Sequence, residues 1–173
     1  MYFSRFGKIQ CGFDKDNFKI VTDVMKRVKV KDKVLNEFSL YDKYDVQSGD
    51  TPESIAFKHF GNADFHWVIL LTNNIVDRYY DWPMSEQEFE VFLKDKYTEP
   101  GGIHHYEITQ SSGKTESLDY SHLVEVNSDA TGAQSVSNRE FEQREQDKIS
   151  RIKLLNPAYL PMMIEEFEKL MNE

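Results

Sequence analysis

The stretch that most constrains the fold covers residues 44–62 and reads YDVQSGDTPESIAFKHFGN. Its letters SGD supply turn chemistry, and Thr51 offers a hydroxyl at a helix N-cap. Pro52 follows at the first helical position, where its missing N–H is tolerated, and Gly61 suits the left-handed conformation that ends many helices. Upstream, apolar residues alternate with polar ones at period two. The sequence therefore predicts a strand over about residues 38–47 and a helix over about residues 52–60.

A second helix is predicted to begin near Asp64 and to end at the letters TNN, residues 72–74. It is apolar around most of its circumference, so it must be mostly buried. Ser85 and Glu88 then form a capping-box pattern, which opens a third helix. The letters PGG at residues 100–102 end that helix and mark a candidate module boundary.

The region after this boundary is predicted to contain a hairpin and two more helices. The hairpin strands are residues 103–109 and 117–126, with SSGK at 111–114 between them. The letters SNRE at 137–140 open a very polar helix, and residues 152–155 predict a short strand. The last helix, about residues 161–172, carries an apolar stripe that fits a core or a partner helix.

The first forty residues carry weaker signals. Phe13, Phe18, Ile20 and Val21 favour extended structure, whereas Thr22 is a reasonable N-cap for a short helix through about residue 28. The basic letters KRVKVK at 26–31 are followed at once by an aspartate, so they are interpreted as a solvated face.

Composition excludes several classes of function. The net charge is −9 in 173 residues, which argues against an electrostatic grip on nucleic acid or on an anionic membrane surface. No apolar run approaches the roughly 20 residues that span a bilayer, and no signal-peptide pattern opens the chain. Cys11 is the single cysteine, so no intrachain disulfide is expected. Folding in the cytoplasm is the expectation.

The order of motifs from residue 44 to about residue 84 resembles the LysM domain, a small β-α-α-β module. The resemblance is carried by the letters VQSGDT, FGN and TNN, with Trp67 in the second helix. LysM domains can hold N-acetylglucosamine-containing glycans in a shallow groove. The resemblance places Gly49, Asp50 and Thr51 on one side of that groove, with Asn73, Asn74 and Ile75 opposite.

A second resemblance covers nearly the whole chain. The segments FGNADFHWVILLTNNIVDRYYDWPMSEQEFEVFL and SNREFEQREQDKISRIKLLNPAYLPMMIEEFEKLM look like the LysM-containing baseplate wedge proteins of contractile-tailed, T-even-type bacteriophages. This resemblance implies a structural virion protein of the tail baseplate, made and assembled in the host cytoplasm. Its expected partners are other baseplate wedge subunits, with six copies per ring, and it helps to join neighbouring wedges into that ring.

The fold class expected from these patterns is α+β. It comprises an N-terminal arm (residues 1–37), a LysM-like module with the helix that follows it (38–100), and a hairpin with a C-terminal helical region (101–173). The alternative function is a peptidoglycan-binding LysM module associated with a cell-wall hydrolase. A single shallow groove binds weakly without repeats, and this chain shows one copy and no export signal, so scaffold use is the favoured interpretation.

Two sets of residues are candidates for a protein interface. The first is the aromatic connection with Arg78, Tyr79, Tyr80 and Trp82, because Tyr, Trp and Arg dominate the binding energy of many interfaces. The second is the stripe of the last helix, with Met163, Phe167 and Leu170.

Catalysis and cofactor binding find little support in the sequence. His104 and His105 are expected on opposite faces of a strand, so only one of them could join His122 at a metal. Two histidines without a third ligand do not predict a metal site. No Gly-rich phosphate loop, partnered Cys11 or spaced carboxylate pair is present, so no enzyme activity and no cofactor are expected.

Overall fold

The computed structural model describes residues 2–14, 17–110 and 122–172. The strands in these ranges are β1 (Lys8–Asp14), β2 (Asn17–Thr22), β3 (Tyr41–Asp45), β4 (Ile103–Thr109), β5 (Leu123–Val126), β6 (Gln134–Ser137) and β7 (Arg151–Leu155). The α-helices are α1 (Asp32–Leu35), α2 (Pro52–Phe60), α3 (His66–Thr72), α4 (Arg78–Asp81), α5 (Glu86–Lys96), α6 (Asn138–Ser150) and α7 (Leu160–Asn172). The predicted α+β class is confirmed.

The chain divides into two compact units whose segments alternate along the sequence. Unit 1 comprises residues 1–44, 50–78 and 152–173, and unit 2 comprises residues 45–49 and 79–151. Because both units are discontinuous, neither coincides with one of the three consecutive regions expected from the sequence. That division into residues 1–37, 38–100 and 101–173 stays a prediction.

Helix α2 forms where the sequence predicts it, because its signals are local. The Thr51 side chain accepts a hydrogen bond from the Ser54 N–H, and the Ser54 hydroxyl accepts one from the Thr51 N–H. Gly61 ends the helix at φ 76°, and its N–H donates to the carbonyl of Phe57. Pro52 occupies the first turn.

Helix α3 ends in a Schellman motif built on Asn74. This residue is left-handed, at φ 54°, which asparagine tolerates better than most side chains. The N–H of Ile75 donates to the carbonyl of Leu70, and the N–H of Asn74 donates to that of Leu71. The letters TNN are therefore explained as a helix terminus.

The core of unit 1 forms where α3, β7 and α7 meet. Trp67, Val68, Leu155, Leu160, Phe167 and Met171 form one buried cluster. The rings of Trp67 and Phe167 lie 4.5 Å apart between centroids, so α7 packs directly on α3. Complete burial of side chains of this size stabilises a fold by about 1.5–3 kcal/mol each.

The strand that pairs with β3 is β7, not a segment before residue 84. The Asn156 N–H donates to the Leu40 carbonyl at one end of the pair and the Val46 N–H to the Ser150 carbonyl at the other, so the strands run antiparallel. The LysM resemblance over residues 44–84 implied a closing strand inside that range, and this was wrong. The chain there forms α4 instead.

The N-terminal arm contains the antiparallel hairpin β1–β2. Extended structure was predicted correctly here, but the short helix from Thr22 was wrong, because Thr22 ends β2 and pairs with Lys8. Ile20, Val21 and Thr22 are β-branched, which favours a strand. The root of the hairpin lies at α7, where the Phe6 and Phe167 rings make an edge contact and Arg5 pairs with Glu168.

Unit 2 contains a three-stranded sheet in the order β5-β4-β6, together with α5 and α6. The predicted capping box of Ser85 and Glu88 opens α5. Residues 103–109 form β4 as predicted, and β5 occupies the end of the predicted second hairpin strand. The predicted connection at residues 111–114 lies outside the described residues.

The helices of the described part of the chain are too short or too polar to cross a membrane.

Candidate functional site

The first side of the expected glycan groove is held by hydrogen bonds within unit 1. The Asp50 carboxylate accepts from the Tyr44 hydroxyl and from the Lys58 ammonium group, each at 2.8 Å. Only 9% of its side chain is exposed. The hydrogen bond to Asp50 is the main cause that raises the pKa of Tyr44 and also that of Lys58. Asp50 therefore ties β3 to α2, while Thr51 caps the helix.

On the opposite side of the expected groove, Asn73 is also engaged in hydrogen bonds within unit 1. The Asn73 amide nitrogen donates to the Lys153 carbonyl at 2.8 Å, and the Asn73 amide oxygen accepts from the Lys153 N–H at 2.8 Å. The same nitrogen also donates to the Ile69 carbonyl at 2.8 Å. The Asn73 side-chain amide thus bonds both backbone groups of Lys153, as a residue of a neighbouring strand would, and connects the end of α3 to β7.

An open cavity of about 280 Å³ lies beside this contact. Its walls are Asn73, Asn74 and Thr72 at the end of α3, Lys153 on β7, and α1 with the residue after it. Gly49, Asp50 and Thr51 do not line it, so the two sides expected from the LysM resemblance do not share this cavity. Glycan contact by Gly49, Asp50, Thr51, Asn73, Asn74 or Ile75 stays a prediction.

The aromatic connection contains the most exposed tyrosines of the described chain. Tyr79 is 87% exposed and Tyr80 is 81% exposed, both in α4. Arg78 pairs with Glu53 at 2.9 Å, and both side chains remain partly exposed. Trp82, which was grouped with them, is only 8% exposed and belongs to the buried set.

The stripe of α7 faces inward rather than outward. Phe167 is 3% exposed, and Met163 packs against the unit 1 cluster. Leu170 is more accessible, as is Met162 on the outer face. Sequence reasoning could identify an apolar stripe but not what covers it. An interface at these candidate residues stays a prediction, and within this chain Trp82 and Phe167 are buried while Met163 is partly buried.

His104 and His105 lie together on one side of the sheet, contrary to the expected alternation. The register between β4 and β6 shifts between Ile103 and His105, which places one extra residue in β4. Such a bulge redirects side chains. The two Nδ1 atoms lie 2.8 Å apart, and the His104 ring stacks on Phe141. Among the described residues, no group of three potential ligands is arranged to hold a metal ion.

Unit 2 is fastened by two carboxylates that sequence reasoning missed. Glu107 on β4 accepts two hydrogen bonds from Arg144 on α6, at 2.8 and 2.9 Å. These bonds are the main cause that lowers the pKa of Glu107. Burial alone would raise the pKa of Glu142, but hydrogen bonds from Lys96 and Tyr97, both at 2.6 Å, outweigh it and keep that pKa low. Both carboxylates have structural partners, so neither is poised as a catalytic acid.

Sequence reasoning also missed an exposed apolar surface on the arm. Phe18 and Ile20 alternate along β2 and stay 50% and 66% exposed, and Val24 and Met25 beyond the strand are also exposed. Alternation alone predicts a strand with one buried face, but here the apolar residues remain accessible.

Comparisons with known proteins agree on one family. The sequence model of the family described as Base plate wedge protein 53 matches residues 1–173. Baseplate wedge protein gp53 of Enterobacteria phage T4 is 32% identical to this chain over 59 residues, which is 34% of this chain and 30% of that protein. The matched part thus spans less than a third of the T4 protein. The resemblance to baseplate wedge proteins inferred from the sequence is confirmed, whereas the LysM-like character of the module stays a prediction. Because the match covers every residue, the chain belongs to the Base plate wedge protein 53 family, a family of phage baseplate proteins.

Proposed function

We propose that the chain is a non-catalytic structural subunit that joins neighbouring wedges of a contractile tail baseplate. The observation that carries the joining role is the exposed tyrosine pair of α4, Tyr79 and Tyr80. Tyrosine supplies a large contact area with few rotatable bonds, and it is enriched among residues that dominate interface energy. A helix that only faces solvent is stable with polar side chains, so two adjacent exposed tyrosines indicate a contact surface.

Arg78 supports the same surface. Its pair with Glu53 is solvent-exposed, so it contributes little to the stability of the isolated chain. A carboxylate of a neighbouring subunit could replace Glu53 and become a desolvated bidentate partner. Arginine is the other residue type, with tyrosine, that dominates interface energies.

The module around β3, α2 and α3 serves this role as a LysM-like scaffold. The side chains of Asp50, Thr51 and Asn73 are already engaged in hydrogen bonds that hold its elements together. A sugar would have to compete with those bonds. This supports assembly over peptidoglycan binding.

The partners are other baseplate wedge subunits, with six copies of the chain per ring. The finished location is the tail baseplate of the virion, with assembly in the host cytoplasm. The acidic charge of −9 favours solubility before incorporation and offers complementarity to basic neighbours afterwards.

The test is incorporation of variant chains into baseplates during infection by a phage that lacks its own copy. Tyr79→Ala with Tyr80→Ala should reduce incorporation by at least about tenfold, while the purified variant keeps the circular dichroism and melting temperature of the parent. Phe38→Ala is the matched control, because Phe38 is 84% exposed and lies outside α4, in the 3₁₀ helix Phe38–Leu40. Normal incorporation of the tyrosine variant would refute the joining role of α4.

The alternative function is tested by a pull-down with purified peptidoglycan. The scaffold proposal expects no retention of the parent chain above that of a charge-matched protein without a LysM-like module. Saturable retention that free N-acetylglucosamine oligomers abolish would favour the peptidoglycan-binding alternative.

A further inference from the structure

The hairpin β1–β2 exposes apolar side chains on both of its faces. In the antiparallel register Ile9 pairs with Val21, and Gln10 pairs with Ile20. Side chains of paired residues share a face and alternate along each strand, so Ile9 and Val21 lie on one face while Ile20 and Phe18 lie on the other. All four are exposed. A hairpin that only faced solvent would carry polar residues on at least one face.

A two-stranded hairpin is also marginally stable in water by itself. Each of its strands has one outer edge with backbone groups available for pairing, and such edges are templates for another chain. The root of the hairpin is anchored, since Arg5 pairs with Glu168 and Lys26 donates to the Met171 carbonyl. An anchored root and an uncovered, apolar hairpin are the features expected of a docking element.

Charge indicates what kind of surface receives it. Residues 1–33 contain nine Lys or Arg and four Asp or Glu, a net charge of +5. Residues 34–173 contain twelve Lys or Arg and twenty-six Asp or Glu, a net charge of −14. Within residues 1–33 the hairpin itself, residues 8–22, contains three Lys and two Asp, and most of the positive charge lies in residues 23–33 directly after it. The hairpin and the basic segment that follows it together complement the acidic body formed by residues 34–173.

This asymmetry decides between two modes of self-association. Pairing of two hairpins edge to edge would bring the basic segments that follow them, residues 23–33 of each copy, close together, which costs electrostatic energy. Docking of the hairpin on the body of a second copy would bring opposite charges together and would leave the hairpin of that second copy available for a third. Head-to-tail contacts of this kind close into rings when the rotation between copies allows it.

We propose that the β1–β2 hairpin of one copy docks, head to tail, on the acidic body of a second copy of this chain. The inference deepens the assembly role proposed above and rests on it. Phe18 and Ile20 supply the apolar contact, and Lys8 and Lys19, together with the basic segment 26–31 that follows the hairpin, supply the charge. Nucleic acid is the other polyanion that a basic arm could bind, but the body charge of −14 repels it and exposed aliphatic residues do not favour it.

The first experiment measures self-association of the purified full chain by sedimentation velocity over a range of concentrations. Association should weaken at least about tenfold in Kd between about 50 mM and about 500 mM NaCl. Phe18→Ser with Ile20→Ser should weaken it to a similar extent. A chain that stays monomeric at every concentration and salt level overturns the proposal.

Matched variants separate the hairpin from general charge effects. Lys8→Glu with Lys19→Glu should abolish association, whereas Lys43→Glu with Lys169→Glu changes the net charge equally outside the arm and should strengthen or preserve it. Phe38→Ser is the matched control for the apolar pair. Equal loss in both double charge reversals would contradict hairpin docking.

The single cysteine allows the receiving surface to be mapped. Cys11 is exposed and lies on β1, so a photoactivatable cross-linker can be attached there. A mixture of isotopically heavy and light chains then distinguishes intermolecular cross-links by mass spectrometry. Cross-links to residues 34–173 of the other copy support head-to-tail docking, whereas cross-links to residues 1–33 would indicate hairpin-to-hairpin pairing and refute it.

Two further outcomes would contradict hairpin docking without contradicting the proposed joining role of Tyr79 and Tyr80. Tight binding of a DNA duplex that is lost in Lys8→Glu with Lys19→Glu would replace the proposal with a polyanion site. The parent chain could fail to self-associate while its incorporation into baseplates still depends on Tyr79 and Tyr80. That result would overturn hairpin docking and leave the joining role intact.

Discussion

The amide of Asn73 provides the sharpest test of whether the candidate groove is scaffold. Asn73→Ala removes three hydrogen bonds of 2.8 Å, two of them to the backbone of Lys153 on β7. A typical hydrogen bond contributes about 0.5–1.5 kcal/mol net. The two bonds that join α3 to β7 are partly buried, so their loss should lower the free energy of unfolding by about 2 kcal/mol.

For a chain of this length, such a loss corresponds to a fall in melting temperature of about 4–8 °C. Urea unfolding followed by tryptophan fluorescence measures it, because Trp67 lies in the core of unit 1. A Trp82→Phe background removes the signal of the other tryptophan, which lies in unit 2. Asn172→Ala is a suitable control, since that amide bonds within α7 at an exposed position.

The opposite result would have a clear meaning. If Asn73 were a ligand-binding side chain in an open groove, its replacement would change the free energy of unfolding by less than about 0.5 kcal/mol, as surface substitutions usually do. That outcome would refute the argument that Asn73 serves as a backbone-like clamp.

Three other predictions follow from burial, charge and backbone conformation. Trp82→Ala should destabilise unit 2 by about 3–5 kcal/mol, whereas Tyr80→Ala should change stability by less than about 0.5 kcal/mol, as calorimetry can show. The pKa of Glu107 is lowered in the folded chain. Its ion pair with Arg144 therefore stabilises the folded state fully above the unfolded pKa, and this contribution is lost as the pH falls through the folded pKa. The difference in free energy of unfolding between the parent and Glu107→Gln should shrink on acidification. Gly61→Ala should cost about 1 kcal/mol in thermal unfolding because φ is 76° there.

Elements specified by neighbouring residues were predictable. The bounds of α2 follow from Thr51, Pro52 and Gly61, and the start of α5 follows from the capping box at Ser85. Each signal acts within a few residues, so no knowledge of tertiary packing is required.

Features that depend on distant partners were not predictable. The pairing of β3 with β7 joins segments about a hundred residues apart, and nothing local in either strand identifies the other. The prediction that His104 and His105 lie on opposite faces of the sheet was wrong, because a bulge adds one residue to β4 and interrupts the alternation of side chains. The burial of Phe167 and Trp82 was not predictable either, because composition does not reveal what packs on a side chain.

The interleaved course of the chain also sets an order for its synthesis. Residues 79–151 leave the ribosome before β7 and α7 do, so unit 2 has all of its sequence available while unit 1 still lacks one strand and the helix that covers Trp67. A nascent chain that stops short of residue 152 therefore carries an exposed apolar face on α3, which is a substrate for chaperones and proteases.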